Sequence, residues 1–156
     1  IIKIMTWFKN CFAKIDGIFI DHMHDWAVPT LRVCLGIVFL WFGLLKVFGV
    51  SPVVSLIQET YYFLPTGEFI LVLGAWETVV GLGLILNIAL RTTLALLWLQ
   101  MAGTLFALIL KPTMFFAGLN PLLLTVEGEF IIKNLILISA GLVIGGYGVK
   151  KLVSKS

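Results

Sequence analysis

The chain has 156 residues, of which 60% are hydrophobic and only 12% charged, whereas soluble domains carry about 25% charged residues. This composition excludes a soluble monomer, a collagen, a disordered tail, a disulfide scaffold and a nucleic-acid-binding protein, and it indicates one domain embedded in lipid. The net charge of +3 is scattered along the chain, so we interpret it as a signal of membrane topology.

Residues 1–27 predict an amphipathic juxtamembrane helix followed by a linker. Apolar residues recur there at helical spacing, at positions Ile4, Phe8, Phe12, Ile15 and Phe19. Lysines interrupt the apolar stretch and no small-residue cleavage site follows, so we expect a helix in the inner interface and not a signal peptide.

Four later segments are each long enough, at roughly 20 apolar residues, to cross a bilayer core of about 30 Å. They cover residues 28–49, 68–87, 91–110 and 127–148. A further short helix over 52–63, begun by Ser51 and Pro52, suits the outer face because it ends in aromatic residues. The sequence thus predicts an all-α integral membrane protein: a four-helix bundle over 28–148, the two additional helices, and a basic tail over 149–156.

Basic residues predict the orientation of this bundle. An even number of spans places both termini and the 87–91 turn on one side of the membrane. The basic residues on that side are Lys3, Lys9, Lys14, Arg91, Lys150, Lys151 and Lys155, and those on the other side are Lys46 and Lys111. Because cytoplasmic segments are enriched in Lys and Arg, we expect both termini in the cytoplasm.

The first span carries a polar stripe. Its members follow spacings of four and three residues, so they share one helix face: Arg32, Gly36, Phe39, Gly43 and Lys46. This face is therefore expected to point at protein. Arg32 and Lys46 lie about 21 Å apart along the axis, and the alternative interpretation is that each snorkels to its own headgroup layer.

Glu77 lies at the centre of the second span, too deep to snorkel, and a carboxylate there is costly unless it is paired or protonated. Gln100 is central in the third span, and the short turn at 87–91 makes these spans an antiparallel hairpin, so both side chains can meet at the midplane. For Gln100 we favour an interhelical hydrogen bond. For Glu77 we favour a functional role.

The fourth span opens with an i,i+4 pair of Glu129 and Lys133, and its Gly141 and Gly145 form a GxxxG motif that we interpret as packing. Lys133 lies in the outer half of the membrane. The charges of Lys46, Glu77, Glu129 and Lys133 sum to zero, which predicts one polar pocket in the outer half of the bundle.

Absent residue types narrow the chemistry. The histidines, His22 and His24, lie in the predicted linker, which excludes bis-histidine haem within the membrane. With Asp21 and Asp25 they could ligate a metal, but this spacing is common by chance and we favour a solvated turn. The two cysteines form no CxxC motif. We therefore predict no metal and no covalent cofactor, and any redox group is a bound lipid-soluble molecule or belongs to a partner.

Three segments carry a resemblance to a known family: LRVCLGIVFLWFGLLK from Leu31 to Lys46, GAWETVVGLG from Gly74 to Gly83, and EGEFIIKNL from Glu127 to Leu135. Together they resemble the DoxX-like membrane proteins, and more closely the YkgB-like branch. The resemblance implies a compact four-helix bundle in the bacterial inner membrane. It also implies a role as a small subunit of a quinone-linked oxidoreductase, notably thiosulfate:quinone oxidoreductase, or in oxidative-stress defence. The shorter first outer loop and the added N-terminal helix depart from that branch.

Three functions are open at this point. The leading hypothesis is a membrane subunit of a redox system, not catalytic alone, that binds a quinone or lipid. Its ligand-binding residues would be Lys46, Glu77, Gln100, Lys133, Trp41 and Trp76, with Glu77 as proton relay and with Arg32 and Glu129 as structural polar residues. The second is an accessory subunit that docks onto a larger membrane complex through the helices 4–19 and 52–63. The third is a small-solute or proton carrier using Glu77, although the chain shows no inverted repeat.

Overall fold

The computed structural model describes residues 2–149, and nearly all of this range is helical. The helices are α1 (Ile2–Val47), α2 (Val54–Thr60), α3 (Thr66–Leu86), α4 (Leu90–Leu110), α5 (Pro112–Phe115), α6 (Val126–Ile132) and α7 (Asn134–Ile144). A short 3₁₀ turn at Ala117–Leu119 follows α5, and one turn of π-helix at Gly145–Val149 follows α7. Within the described residues, the only extended pairing is an isolated bridge between Phe116 and Leu124.

Four helical segments are long and apolar enough to cross a membrane, which confirms the predicted spans. They are Asp25–Val47, Gly67–Leu86, Leu90–Leu110 and Val126–Tyr147. The C-terminal end of α1 and the N-terminal end of α6, together with all of α2 and α5, therefore lie at one end of the bundle. The turn between α3 and α4 lies at the opposite end.

The first helix is longer than expected, because α1 runs without interruption from Ile2 to Val47. It passes through residues 20–27, where we predicted a linker, and it includes Pro29. A proline removes one helical hydrogen bond, and here that loss does not end the helix. The amphipathic surface predicted for residues 4–19, the side chains of His22 and His24, and the basic tail from Lys150 onward lie outside the described part of the structure.

Glycines bring α1 and α3 into direct backbone contact. A Cβ atom placed on Gly36 would lie 2.9 Å from the carbonyl oxygen of Gly81, and one placed on Gly74 would lie 2.9 Å from that of Gly43. No Cβ atom fits at such distances, so only glycine permits this approach. The predicted stripe of the first span therefore faces protein, and the protein it faces is α3.

The turn between α3 and α4 confirms the predicted hairpin. Asn87 and Ala89 adopt left-handed φ angles of 57° and 44°. The amides of Asn87 and Ile88 both donate to the carbonyl of Gly83, the second at 3.0 Å, which closes the last turn of α3. The chain thus reverses within three residues, and α3 and α4 are antiparallel neighbours.

The hydrophobic core lies among α1, α3, α4 and α7. Val80, Leu84, Leu97 and Ile144 are fully buried in it. A Cβ atom on Gly141 would lie 2.8 Å from the indole nitrogen of Trp98, so this end of the GxxxG motif serves packing, as predicted.

The fourth span is interrupted at Lys133, in its first half. Helix α6 ends at Ile132, and the amide of Ile136 bonds back to the carbonyl of Lys133 at 3.0 Å, one residue closer than in an α-helix. Lys133 itself keeps right-handed helical dihedral angles, so the chain continues across this point as one span made of two helices.

Candidate functional site

A buried ion pair joins α1 to α3. The Nζ atom of Lys46 lies 2.5 Å from the Oε2 atom of Glu77, and the two residues are 6% and 7% exposed. The stem of Lys46 crosses α3 at Gly74, where a Cβ atom would lie 2.8 Å from that of the lysine. Lys46 therefore extends toward the bundle centre and does not snorkel to the outer headgroups. Pairing offsets part of the cost of holding either charge away from water.

Gln100 of α4 completes a buried polar triad with this pair. Its Nε2 atom donates to the Oε1 atom of Glu77 at 2.6 Å, so the predicted contact across the hairpin is present. The Oε1 atom of Gln100 is also buried, and no described residue donates a hydrogen bond to it. An ionised carboxylate only accepts hydrogen bonds, and the amide nitrogen of Gln100 is the atom that faces it.

The triad opens onto a partly open cavity of about 440 Å³ at the end of the bundle that carries α2. Most of its lining is apolar and comes from all four spans and from α2. The polar side chains in its wall are Lys46, Glu77, Gln100, Thr104 and Asn134, together with those near its α2 end. Asn134 donates from Nδ2 to the hydroxyl of Thr104 at 3.1 Å, and that hydroxyl donates to the carbonyl of Met101 at 2.9 Å.

Helix α2 and the residue after it lie over the cavity. Tyr61 donates from its hydroxyl to the carbonyl of Gly103 on α4 at 2.7 Å, and its ring lies 5.5 Å from that of Phe69. Burial raises the pKa of the Tyr61 phenol above its ordinary value. This side chain ties the segment between the first two spans to the third span.

Arg32 lies at the other end of the stripe on α1. Its Nη1 atom donates to the carbonyl of Leu84 at 2.6 Å and to that of Ile85 at 3.5 Å. These carbonyls belong to the last turn of α3, where helix hydrogen bonding leaves acceptors unpaired and the helix dipole favours a positive charge. Arg32 thus caps α3, which supports the structural role predicted for it.

Three of the predicted residues stand apart from the triad. Lys133 and Glu129 have side chains that are 68% and 63% exposed, and they face each other at 4.0 Å. Trp41 is 64% exposed and does not line the cavity. Trp76 does line it, and its indole N–H donates to the carbonyl of Leu96 at 3.2 Å. The structure therefore brings Lys46, Glu77, Gln100 and Trp76 together, and it leaves Lys133, Glu129 and Trp41 outside.

Comparison with known proteins identifies the family of the chain. The sequence model of the DoxX family matches residues 27–110, which is more than half of the chain. The chain belongs to the DoxX family. The match covers α1 from residue 27 through α4, so it includes every member of the triad, and it stops before the fourth span. No curated protein and no solved structure matches the chain significantly. The YkgB-like branch stays a prediction.

The DoxX triad and its cavity combine two kinds of chemistry. Lys46 has an ammonium group with three N–H donors, one of which is engaged by Glu77. The Oε1 atom of Gln100 is buried and accepts from no described residue. Because Lys46 lines the cavity, a ligand headgroup there can accept a hydrogen bond from it, while the apolar walls hold the hydrophobic part of the ligand. Among the described residues, no group of three metal-ligating side chains is present.

Sequence reasoning missed Thr104, Asn134 and Tyr61 as site residues. Thr104 lies four residues after Gln100, so helical spacing alone places it on the same face of α4. Asn134 directly follows Lys133, and only the contacts of the folded span show which of the two faces α4. Tyr61 carried a weaker signal, since aromatic residues near a span end are also typical of the membrane interface.

Proposed function

We propose that this DoxX protein is the quinone-interacting membrane subunit of a redox or oxidative-stress-related system in the bacterial inner membrane, with both termini in the cytoplasm. The observation that carries the proposal is a buried triad, Lys46, Glu77 and Gln100, that opens onto an apolar cavity of about 440 Å³. Small-molecule pockets typically have volumes of roughly 300–1,000 Å³, and this cavity lies within that range. A protein that needed the triad only for stability would have no need of the cavity.

The donors and acceptors of the triad fit the chemistry of a quinone headgroup. A quinone carbonyl accepts hydrogen bonds, and Lys46 carries N–H groups beyond the one that Glu77 engages. Reduction of a quinone requires protons, and a carboxylate within the bundle is suited to transfer them. The ring of Trp76 forms part of the wall beside the triad and is placed to contact a flat ligand ring.

This site differs from the one predicted from the sequence at two positions. Asn134 lines the cavity in place of Lys133, and Trp41 lies on the outer surface of α1. The proposed proton relay is Glu77 alone. The charge of the site is thereby confined to one neutral ion pair, which suits an uncharged ligand better than an ionic one.

Lipid extraction of the native protein tests the proposal. The protein is purified in mild detergent from its membrane, extracted with organic solvent, and its quinone content is measured against protein by chromatography. We expect quinone with the wild type and a loss of several-fold in Glu77→Gln. Glu129→Gln is the matched control, since this carboxylate is exposed and lies outside the cavity. No quinone above the detergent background in the wild type would refute the proposal.

A second candidate function is that of an accessory subunit docked onto a larger membrane complex. The supporting observation is the exposed pair of Glu129 and Lys133, because charged side chains within a span normally face protein or water. A neighbouring subunit would supply that environment. Native mass spectrometry tests this: the chain should occur within a larger assembly that Lys133→Ala disrupts and Glu77→Gln leaves intact. A lone chain in both variants and wild type would refute it.

A further inference from the structure

We propose that the cavity opens sideways into the lipid between α3 and α4. Its ligand is then a membrane lipid whose headgroup lies beside Lys46 and whose apolar chain leaves through this lateral opening, which Val72 and Leu99 flank. The inference rests on the proposed quinone-type site. It adds where the chain of the ligand lies and from which phase the ligand enters.

Two side chains bridge α3 and α4 and form the edges of the lateral opening. Tyr61 packs its ring against Phe69 of α3, at 5.5 Å between ring centroids, and donates to the carbonyl of Gly103 on α4. Trp76 of α3 donates to the carbonyl of Leu96. The two acceptors lie about 10 Å apart along α4, so the bridges leave about two helical turns between them.

The cavity wall is exposed within this interval. Val72 of α3 and Leu99 of α4 line the cavity, and they are 62% and 61% exposed. Gly103 also lines it, and a Cβ atom on that glycine would have no neighbour within 4 Å. The cavity is partly open, and these exposed lining residues place an opening between α3 and α4.

The lateral opening lies at the depth of the hydrocarbon core. Measured from the end of the bundle that carries α2, Val72 lies about 8 Å into the span Gly67–Leu86. Leu99 lies about 16 Å into the span Leu90–Leu110. Both depths fall within a core about 30 Å thick. A molecule that reaches this opening must therefore be dissolved in the lipid.

The end of the cavity nearer to the aqueous phase is covered by apolar side chains. Phe115 of α5 is fully buried and packs with Ala107 and Ile131, and Leu56 of α2 packs against this cluster. A ligand that came from the adjoining aqueous phase would have to displace these contacts. The lateral opening leaves them in place.

A headgroup beside Lys46 requires the chain to leave the cavity. Lys46 lines the cavity from α1, and its ammonium group lies at Glu77 of α3. The volume of about 440 Å³ holds a headgroup, whereas a chain that anchors in one leaflet extends through about 15 Å of hydrocarbon. Both flanks of the lateral opening are apolar, so a chain between them stays out of water.

The cavity wall is also exposed between α1 and α6. Val38, Phe42 and Phe130 line the cavity there, and each is less than half exposed. The chain belongs on the α3–α4 side because the lining residues there are more exposed, and because Gly103 leaves space free of side chains. Chemical labelling distinguishes the two sides.

Photolabelling of the full chain in phosphatidylcholine vesicles tests the inference. The probe is a decyl-ubiquinone whose chain carries a diazirine, and labelled residues are located by mass spectrometry with and without an excess of unlabelled decyl-ubiquinone. We expect labelling at Val72 and Leu99 that the excess reduces several-fold. Labelling at Ile109, which is exposed on α4 and lies outside the cavity, should not change, because it reports contact with bulk lipid.

Two results would overturn the inference, and they differ in what they leave standing. Displaceable labelling at Val38 and Phe130, with none at Val72 or Leu99, overturns the lateral opening while the quinone-type site stands. Labelling that the excess displaces nowhere overturns the proposed function together with the inference.

A matched pair of variants tests the same opening. Leu99→Trp places a larger ring in it and should lower the displaceable labelling of Val72 several-fold. Ile109→Trp places the same ring elsewhere on α4 and should leave that labelling unchanged. Equal labelling in Leu99→Trp and the wild type overturns the inference. If Leu99→Trp fails to fold, the labelling of the wild type still decides.

A second probe, a phosphatidylcholine with a diazirine in one acyl chain, separates the two sources of an apolar chain. If the chain of a quinone occupies the lateral opening, this probe should label Val72 no more than Ile109. Labelling of Val72 several-fold above that of Ile109, undiminished by excess decyl-ubiquinone, would assign the opening to a phospholipid chain and overturn the inference.

Discussion

The ion pair between Lys46 and Glu77 leads to a prediction that a double-mutant cycle can test. Glu77→Gln leaves Lys46 charged and only 6% exposed, and removing one member of a buried pair costs about 3–5 kcal/mol of stability. Lys46→Met leaves the carboxylate in the same position, and we expect a similar loss. The double variant holds no buried charge and keeps an amide that can bond Gln100. Its stability should lie within about 2 kcal/mol of the wild type, since replacing a buried pair by uncharged groups is often neutral.

The measurement is the free energy of unfolding of the four proteins as SDS replaces a mild detergent, followed by circular dichroism. Glu129→Gln serves as a control, because its side chain is 63% exposed and lies 4.0 Å from Lys133, and exposed pairs contribute about 0–1 kcal/mol. The reasoning is refuted if the double variant loses the sum of the two single losses to within about 0.5 kcal/mol. That result would mean that the two charges do not interact.

Three further predictions concern packing, capping and the cover of the cavity. Gly81→Ala should lower the free energy of unfolding by about 1–3 kcal/mol, because a Cβ atom there would meet the backbone of α1. Gly103→Ala has open space at its Cβ position, so it should change stability by under about 1 kcal/mol. Unfolding in SDS compares the two variants. Arg32→Met should cost about 1–3 kcal/mol in the same assay by removing the donor to Leu84, and Arg32→Lys should recover part of it. Burial raises the pKa of the Tyr61 phenol above its ordinary value of 10.0. Its contribution to the free energy of unfolding is therefore fully present below the ordinary pKa, and it is lost as the pH rises through the raised pKa. Tyr61→Phe should flatten this alkaline loss in thermal unfolding, and an identical pH profile would contradict the assignment.

Features that depend on helical spacing were predictable from the sequence. Apolar runs locate the four spans, and spacings of three and four residues place the stripe from Arg32 to Lys46 on one face. The short turn then makes Glu77 and Gln100 neighbours, since an antiparallel hairpin with fixed ends leaves little choice of register. Each of these inferences uses residues close together in the chain.

Features that depend on how the helices pack against one another were not predictable from the sequence. Asn134 donates to Thr104 of α4, whereas the neighbouring Lys133 is exposed, and the packing of the helices decides which of two adjacent residues faces the bundle. Helix α1 continues without interruption through residues 20–27 and past Pro29. Residue spacing alone does not show that the helix accommodates this proline. Trp41 and Trp76 are the same residue type. Only the packing of their helices places Trp41 on the outer surface and Trp76 in the cavity wall.

The contact between α1 and α3 has a consequence for how the site can move. Where Gly36 meets Gly81 and Gly43 meets Gly74, backbone lies on backbone, so separating α1 from α3 would open a gap beside both helices. A rearrangement that keeps this backbone contact moves α1 and α3 together, so the backbones of Lys46 and Glu77 keep their relative positions. Gln100 and Asn134 belong to the other wall of the cavity, on α4 and α7. In such a rearrangement, the contact of the triad that crosses between the moving parts is the one between Gln100 and Glu77.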